Sequence, residues 1–286
     1  MQYLTNINFH EIIPFINWTY FFRTWKMGGQ CDALTPLSSR SEKAEEKSKL
    51  FQDAQAMLAR FADEKNIQIN AAFTILPARS NGNDITVLYN GKEIILPMLR
   101  QQQPSNDGFC YSLADFLTER DDEIGIFACA VIGADEAAKK HEQENDLYNS
   151  LLTQTLADRL AEAASEWLHF QVRKKFWAYH PDEELNVEQI FKKQYPGIRP
   201  AVGYPSLPDQ SIIFDLDTIL KLNTIGIKLT ENGTMLPAAS ICGLYFAHPK
   251  SKYFIVGKID HSQLADYASR RGKTAEEIKK WLAGIF

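Results

Sequence analysis

Hydrophobic and polar positions in the N-terminal part of the chain follow the period of a helix. Asn17, a residue type that caps helices well, precedes an aromatic-rich segment over 18–25, which predicts a short buried helix. Over 41–65, charged residues alternate with apolar residues spaced three and four apart. Because this spacing places one apolar stripe along a helix, we expect a second, longer helix that packs by one face only.

The period changes to that of β-strands in the next part of the chain. Strands are predicted over 71–76, 85–89, 93–96 and 124–132. Pro77 ends the first of them and Gly133 ends the last. Asn90 and Gly91 join the second strand to the third, and Asn-Gly between β-branched runs is a strong hairpin signal. These strands are therefore expected to be antiparallel.

The remainder mixes helices, strands and one long irregular stretch. The pattern predicts a single helix over 136–179, a loop-rich stretch over 181–208, strands over 240–247 and 253–259, and two C-terminal helices. Asp260 caps the first C-terminal helix, and a capping box from Thr274 to Glu277 opens the second. A loop as long as 181–208 is typical of a functional segment and longer than a simple connection requires. Without regular βαβ alternation, the predicted fold class is α+β.

Composition and charge narrow the class of protein. The chain has 286 residues, 45% hydrophobic and 23% charged, as in ordinary globular proteins, and offers no clean linker, so 1–286 is expected to form one domain. Its net charge of −5 argues against nucleic acid as a partner. No apolar run reaches the roughly 18 residues that span a bilayer, and the start lacks a signal pattern. A cytoplasmic protein with no membrane partner is expected.

Familiar catalytic and metal-binding patterns are absent from the sequence. There is no Walker loop, no Gly-x-Ser-x-Gly and no His-Glu-x-x-His motif. Four cysteines, Cys31, Cys110, Cys129 and Cys242, form no Cys-x-x-Cys pair. Cys129 and Cys242 fall in apolar runs and are predicted to be buried, inert thiols. We expect no metal site.

The histidines and the densest basic run are interpreted as structural. Six histidines show no ligand spacing, so each is interpreted as a surface or cap residue. Arg173, Lys174 and Lys175 are interpreted as the solvated face of a helix.

The loop from Gly197 to Pro205 is the clearest candidate site. Its prolines restrict the backbone, and its two glycines allow close approach of another group. The guanidinium of Arg199 on such a loop suits a carboxylate, to which it can make a two-pronged bond. A loop that only bridges two lobes would have the same composition. The residues alone favour neither a ligand-binding loop nor a bridging loop.

Several runs, in order, resemble the activation domain of cobalamin-dependent methionine synthase nearly end to end. They are Asn17-Trp18-Thr19, Phe21-Phe22, Thr24-Trp25, Leu99-Arg100-Gln101-Gln102, Leu113-Ala114-Asp115-Phe116, Ala157-Asp158-Arg159-Leu160-Ala161-Glu162-Ala163, Gly197-Ile198-Arg199-Pro200, Gly203-Tyr204-Pro205, His248-Pro249 and Ser251-Lys252-Tyr253.

The resemblance implies a C-shaped α+β domain with a bent antiparallel sheet flanked by helices, and S-adenosylmethionine in a shallow groove on its inner surface. The implied ligand-binding positions are Asn17, Glu162, Arg199, Ala201, Gly203, Tyr204, Tyr253 and Phe254. Two of them depart from the family pattern. Asn17 replaces an aspartate and brings no negative charge, and Phe254 replaces a tyrosine and lacks its hydroxyl.

The resemblance also implies the activity. In the family, this domain reactivates a methyltransferase whose cobalamin has been oxidised, with a methyl group from S-adenosylmethionine and an electron from flavodoxin. The family's cobalamin-binding Asp-x-His-x-x-Gly motif is absent, so the cobalamin must come from another chain or another part of the same one, and no catalytic residue is assigned. Two alternatives stay open: a non-enzymatic module that senses S-adenosylmethionine or docks flavodoxin, and a reactivator of another corrinoid protein.

Overall fold

Most strands of the protein belong to one antiparallel sheet. The structure, a computed structural model, describes residues 1–27, 42–63, 66–282 and 284–286. The strands are β1 (Gln2–Leu4), β2 (Gln68–Asn81), β3 (Asp84–Tyr89), β4 (Lys92–Pro97), β5 (Asp122–Ile132), β6 (Lys228–Leu229), β7 (Met235–Leu236) and β8 (Ser240–Tyr245). The main sheet has the order β4-β3-β2-β5-β8, with β1 also paired to β2, and β6 and β7 pair separately.

Helices lie on both faces of this sheet. They are α1 (Phe9–Ile12), α2 (Trp18–Thr24), α3 (Glu42–Asp63), α4 (Ala134–Gln143), α5 (Leu147–Gln171), α6 (Val187–Phe191), α7 (Ile212–Leu220), α8 (His261–Arg270) and α9 (Ala275–Trp281). A π-helical turn, Val172–Phe176, directly follows α5. The α+β class with an antiparallel sheet flanked by helices is confirmed. No helix among the described residues is long and apolar enough to cross a membrane.

Among the residues that the structure describes, the core consists of two hydrophobic clusters, one on each face of the sheet. Phe127 and Cys129 of β5 belong to the cluster beneath α2, α3 and α5. Their neighbours Ile126 and Ala128 belong to the cluster beneath α7, α8 and α9. Successive side chains of a strand point to opposite faces, so this alternation explains why β5 is apolar throughout.

Several local predictions are confirmed. Asn17 caps α2, because its side-chain oxygen accepts a hydrogen bond from the backbone N–H of Thr19 at 3.1 Å. The β3–β4 hairpin turns at Asn90 and Gly91, whose φ angles of 51° and 73° suit these two residue types. The capping box opened by Thr274 begins α9. The helix predicted over 41–65 is α3, although residues 41, 64 and 65 lie outside the described residues.

Two strand predictions are wrong. The strand predicted to end at Pro77 continues to Asn81 in β2. Proline is tolerated there because β1 pairs only with 71–73 and β3 only with 78–81, which leaves one side of β2 unpaired at Pro77. The stretch 253–259 forms no strand. Its backbone N–H groups bond instead to single positions in loops, such as Val256 to the carbonyl of Pro205 at 3.0 Å.

The single helix predicted over 136–179 is also wrong, since the segment contains α4, α5 and the π-helical turn. Asn145 has a φ of 60°, a conformation that ends α4 and that asparagine adopts more readily than most residues. The side chain of Asp146 then accepts a hydrogen bond from the N–H of Asn149 at 3.0 Å and begins α5 as its cap. Residues 139–146 are all polar and include no glycine or proline, so the sequence pattern gave no sign of the break.

The two cysteines predicted to be buried are buried. Cys129 and Cys242 lie in β5 and β8, and burial raises the pKa of the Cys129 thiol to about 12. A thiol with so high a pKa is not a nucleophile near neutral pH. Cys31 lies outside the described residues.

Candidate functional site

A cavity of about 610 Å³ lies on the α5 side of the sheet, between α5, the loop over 199–206 and residues 253–255, which follow β8. Its lining residues are Phe15, Asn17, Tyr20, Arg159, Glu162, Glu166, Phe191, Lys193, Arg199, Pro200, Ala201, Tyr204, Pro205, Ser206, Tyr253, Phe254 and Ile255. Aromatic side chains and charged side chains therefore share one space.

Backbone contacts with β8 hold the loop that carries Arg199. The N–H of Leu244 donates to the carbonyl of Pro200 at 3.0 Å, and Ala201 pairs with Gly243 in an isolated bridge. A Cβ atom at Gly243 would lie 2.3 Å from the carbonyl oxygen of Pro200. Glycine at this position thus lets the loop lie directly against the strand.

Two carboxylates of α5 face the guanidinium of Arg199. Its Nη2 lies 3.0 Å from Oε2 of Glu166 and 3.7 Å from Oε2 of Glu162. Glu162 and Glu166 are four residues apart and so lie on the same face of α5, one turn from each other. Burial opposes the charge of the guanidinium, but the nearby acidic groups, Glu166 first, outweigh it and raise the pKa of Arg199 well above its usual value.

Three tyrosine hydroxyls complete the polar network. Tyr195 donates to Oε1 of Glu166 at 2.9 Å, and Tyr204 donates to Oε1 of Glu162 at 2.7 Å. The hydroxyl of Tyr253 accepts a hydrogen bond from the backbone N–H of Arg199 at 2.9 Å. Burial raises the pKa of Tyr253, so it acts here as a neutral hydroxyl.

A buried ion pair contacts this network through Tyr195. Arg173 and Glu183 are fully buried, with Nε and Oε2 at 2.6 Å, and the guanidinium of Arg173 lies 3.7 Å from the centre of the Tyr195 ring. The interpretation of Arg173 as part of a solvated face is therefore wrong. The basic run lies in the π-helical turn, and of its three residues only Lys175 is exposed.

The interpretation of every histidine as a surface or cap residue is wrong for His169. It is fully buried, it stacks on Tyr245 with ring centres 4.9 Å apart, and its Nε2 lies 3.0 Å from the hydroxyl of Tyr179. Burial, with Arg173 and Arg199 nearby, lowers the pKa of His169 well below 6.5. The ring is neutral and belongs to the packing behind the cavity.

Two further cations lie at the cavity. The ammonium of Lys193 is 4.0 Å from the centre of the Tyr253 ring. Arg159 is three residues before Glu162 on α5, and its Nε is buried without a hydrogen-bond partner among the described residues. The cavity can therefore hold a ligand that carries both positive and negative groups.

The structure brings together seven of the eight predicted site residues. Asn17, Glu162, Arg199, Ala201, Tyr204, Tyr253 and Phe254 line the cavity, and Gly203 does not. Gly203 has a φ of 83°, and its N–H donates to the carbonyl of Leu207 at 2.8 Å. It shapes the turn that carries Tyr204, and a Cβ atom there would lie 2.6 Å from Oε1 of Gln210.

Sequence reasoning missed Glu166, Arg159 and Lys193. The first two could have been inferred, because they lie four residues after and three residues before Glu162 on a predicted helix and so share its face. Lys193 carried no such signal. Within the described part of the chain, no group of His, Cys, Asp or Glu side chains could hold a metal ion.

The fold and the cavity define an α+β domain with a ligand-binding space beside one long helix. Residues 8–272 match the family described as vitamin B12 dependent methionine synthase, activation domain. The chain is also similar to a solved structure, the MetH reactivation domain bound to AdoHcy, at 36% identity and a TM-score of 0.94 over 100% of this chain and 90% of that one. The protein belongs to the activation-domain family of cobalamin-dependent methionine synthase.

Proposed function

We propose that the cavity beside α5 binds S-adenosylmethionine and that the chain uses it to reactivate a cobalamin-dependent methionine synthase. The observation that carries the proposal is the cavity itself, in which Arg199 is held between Glu162 and Glu166 beside the hydroxyls of Tyr204 and Tyr253. The similar MetH reactivation domain, solved with AdoHcy, supports the class of ligand.

The lining fits such a ligand in size and chemistry. A cavity of about 610 Å³ lies within the range of small-molecule sites. Carboxylates suit the ligand's ammonium, cations suit its carboxylate, and the rings of Phe15, Tyr20 and Phe191 supply apolar surface for an adenine. The residues proposed to contact the ligand are Asn17, Glu162, Arg199, Ala201, Tyr204, Tyr253 and Phe254, with Gly203 shaping the loop.

In the proposed reaction, cob(II)alamin takes one electron from flavodoxin and a methyl group from S-adenosylmethionine, which leaves methylcobalamin and S-adenosylhomocysteine. The cobalamin belongs to a partner domain or chain, and the setting is the cytoplasm. This chain binds the methyl donor in the cavity, orients its methyl group and keeps other reactants away from it. No side chain is assigned as an acid or a base.

A reactivation assay tests this function. The protein is mixed with a cobalamin-loaded domain of methionine synthase, reduced flavodoxin and S-adenosylmethionine, and the visible spectrum is followed. Conversion of cob(II)alamin to methylcobalamin is expected only when the chain and S-adenosylmethionine are both present. Glu162→Ala should slow the conversion, because it removes the partner of Tyr204 and Arg199. Glu136→Ala, an exposed change on α4, should not.

The alternatives give different results in the same assay. A module that only senses S-adenosylmethionine would bind it without any change in the cobalamin spectrum. A reactivator of another corrinoid protein would act on that protein and leave methionine synthase unchanged.

A further inference from the structure

The positive and negative charges of the side chains that line the cavity are unequal in number. Arg199 is cationic, but it is paired with the two carboxylates of the lining, Glu162 and Glu166. Arg159 and Lys193 add two more cations, and no further acidic side chain lines the cavity among the described residues. Asn17, at the cap of α2, is neutral. The lining therefore carries an excess of positive charge.

Lys193 is held at the cavity by its backbone and by its side chain. It follows α6 with a φ of 55°, and its N–H donates to the carbonyl of Ile190 at 2.8 Å, which ends that helix. Its ammonium lies over the ring of Tyr253, which in turn is bonded to the backbone of Arg199. Partial burial lowers the pKa of Lys193, and Arg199 acts in the same direction while Glu166 and Glu162 oppose it.

A charge at this position acts on any ligand in the cavity. If it were round, a space of about 610 Å³ would be about 10 Å across, which is close to the screening length of about 10 Å in 0.1 M salt. Wherever the sulfur of an adenosyl ligand lies within the cavity, it is thus inside the field of Lys193. S-Adenosylmethionine carries a sulfonium cation at this sulfur, whereas S-adenosylhomocysteine is a neutral thioether.

We propose that Lys193 sets the charge selectivity of this cavity, disfavouring S-adenosylmethionine relative to S-adenosylhomocysteine. The proposal rests on the proposed function, since it concerns the same site and the same ligands. Removal of the methyl group removes the repelled charge, so the product of methyl transfer competes more strongly than it would without Lys193. Lys193 acts as a specificity-determining residue and takes no part in methyl transfer.

Calorimetric titration of both ligands into the parent and into Lys193→Met tests the proposal at low salt. Methionine keeps a flexible apolar side chain but has no charge. The Kd of S-adenosylmethionine is expected to fall by roughly threefold to tenfold, as for one partly screened unit charge, while the Kd of S-adenosylhomocysteine stays within about twofold. The difference should disappear in about 1 M salt, where the screening length is about 3 Å. Lys193→Glu should enlarge the effect.

The matched control is Lys92→Met, which removes the same charge from an exposed position at the start of β4, away from the cavity. It is expected to leave the ratio of the two dissociation constants unchanged. The proposal is overturned if Lys193→Met leaves that ratio unchanged, including the case in which both ligands shift equally, which would indicate a role in packing or in binding the carboxylate that the two ligands share. If the parent binds neither ligand, the proposed function fails as well.

Discussion

At the scale of single residues, Arg199 illustrates how much the sequence could and could not indicate. Its place on a rigid loop was predicted, and so was its suitability for a carboxylate. The carboxylates that it contacts, however, belong to the protein itself, because Glu166 and Glu162 face it from α5. Their distance from Arg199 along the chain gave no sign of this ion pair. The position of Glu166 on the same helical face as Glu162 could have been inferred from their spacing, but it was missed.

The structure predicts a stability cost for Arg199→Ala. Only 10% of the Glu166 side chain is exposed, so the change would leave a nearly buried carboxylate without its cation. We expect a loss of about 3–5 kcal/mol in the free energy of unfolding, measured by urea denaturation. Adding Glu166→Gln to this variant should restore part of the lost free energy of unfolding, because the remaining buried group would be neutral.

The control for this prediction is Arg79→Ala. Arg79 pairs with Glu93 at 2.8 Å, but the two side chains are 45% and 53% exposed, so the loss should be below about 1 kcal/mol. Equal losses for Arg199→Ala and Arg79→Ala would show that the Glu166 pair has no special weight. Loss of ligand affinity in Arg199→Ala must therefore be measured on protein that is still folded.

At the scale of elements, the sequence predicted the helix caps and turns that depend on local signals. Caps at Asn17 and Asp260 and the Asn90–Gly91 turn are encoded within a few residues and were predicted correctly. The elements that were missed depend on distant partners. Pro77 continues a strand because β1 and β3 leave a gap there, and 253–259 stays irregular because it bonds to the loop at 205–206.

The contact between β8 and the loop over 200–201 gives a prediction at this scale. Gly243→Ala would place a Cβ atom 2.3 Å from the carbonyl oxygen of Pro200 and 2.8 Å from Cα of Ala201, so the loop must move away from β8. We expect a stability loss of about 1–3 kcal/mol and, by calorimetry, a loss of roughly tenfold or more in affinity for S-adenosylhomocysteine.

Gly125→Ala is a matched change in the neighbouring strand. A Cβ atom at Gly125 would lie 2.8 Å from the side chain of Tyr245, so this variant also crowds the sheet but does not meet the backbone of 200–201. It should lose stability with a smaller effect on affinity. If the two variants lose affinity to the same extent, then the position of the loop against β8 is not what shapes the cavity.

At the scale of the whole molecule, the α+β class followed from the order of helical and strand periods, and the site followed from the family resemblance. Neither source indicated that the sheet carries two separate clusters, with the cavity on the α5 side. The assembly of the cavity from residues near 17, 162, 199 and 253 is a property of the folded chain, and only the structure gives its charge and its volume.

We expect this cavity, and no other part of the described structure, to bind an S-adenosyl ligand. Hydrogen exchange followed by mass spectrometry, with and without saturating S-adenosylhomocysteine, measures where the ligand protects the backbone. We expect slower exchange of the backbone amides at 199–206 and 253–255, and no change at 119–122, which line a second cavity beside β2 and β3. Unchanged exchange at 199–206, or protection confined to 119–122, would contradict it.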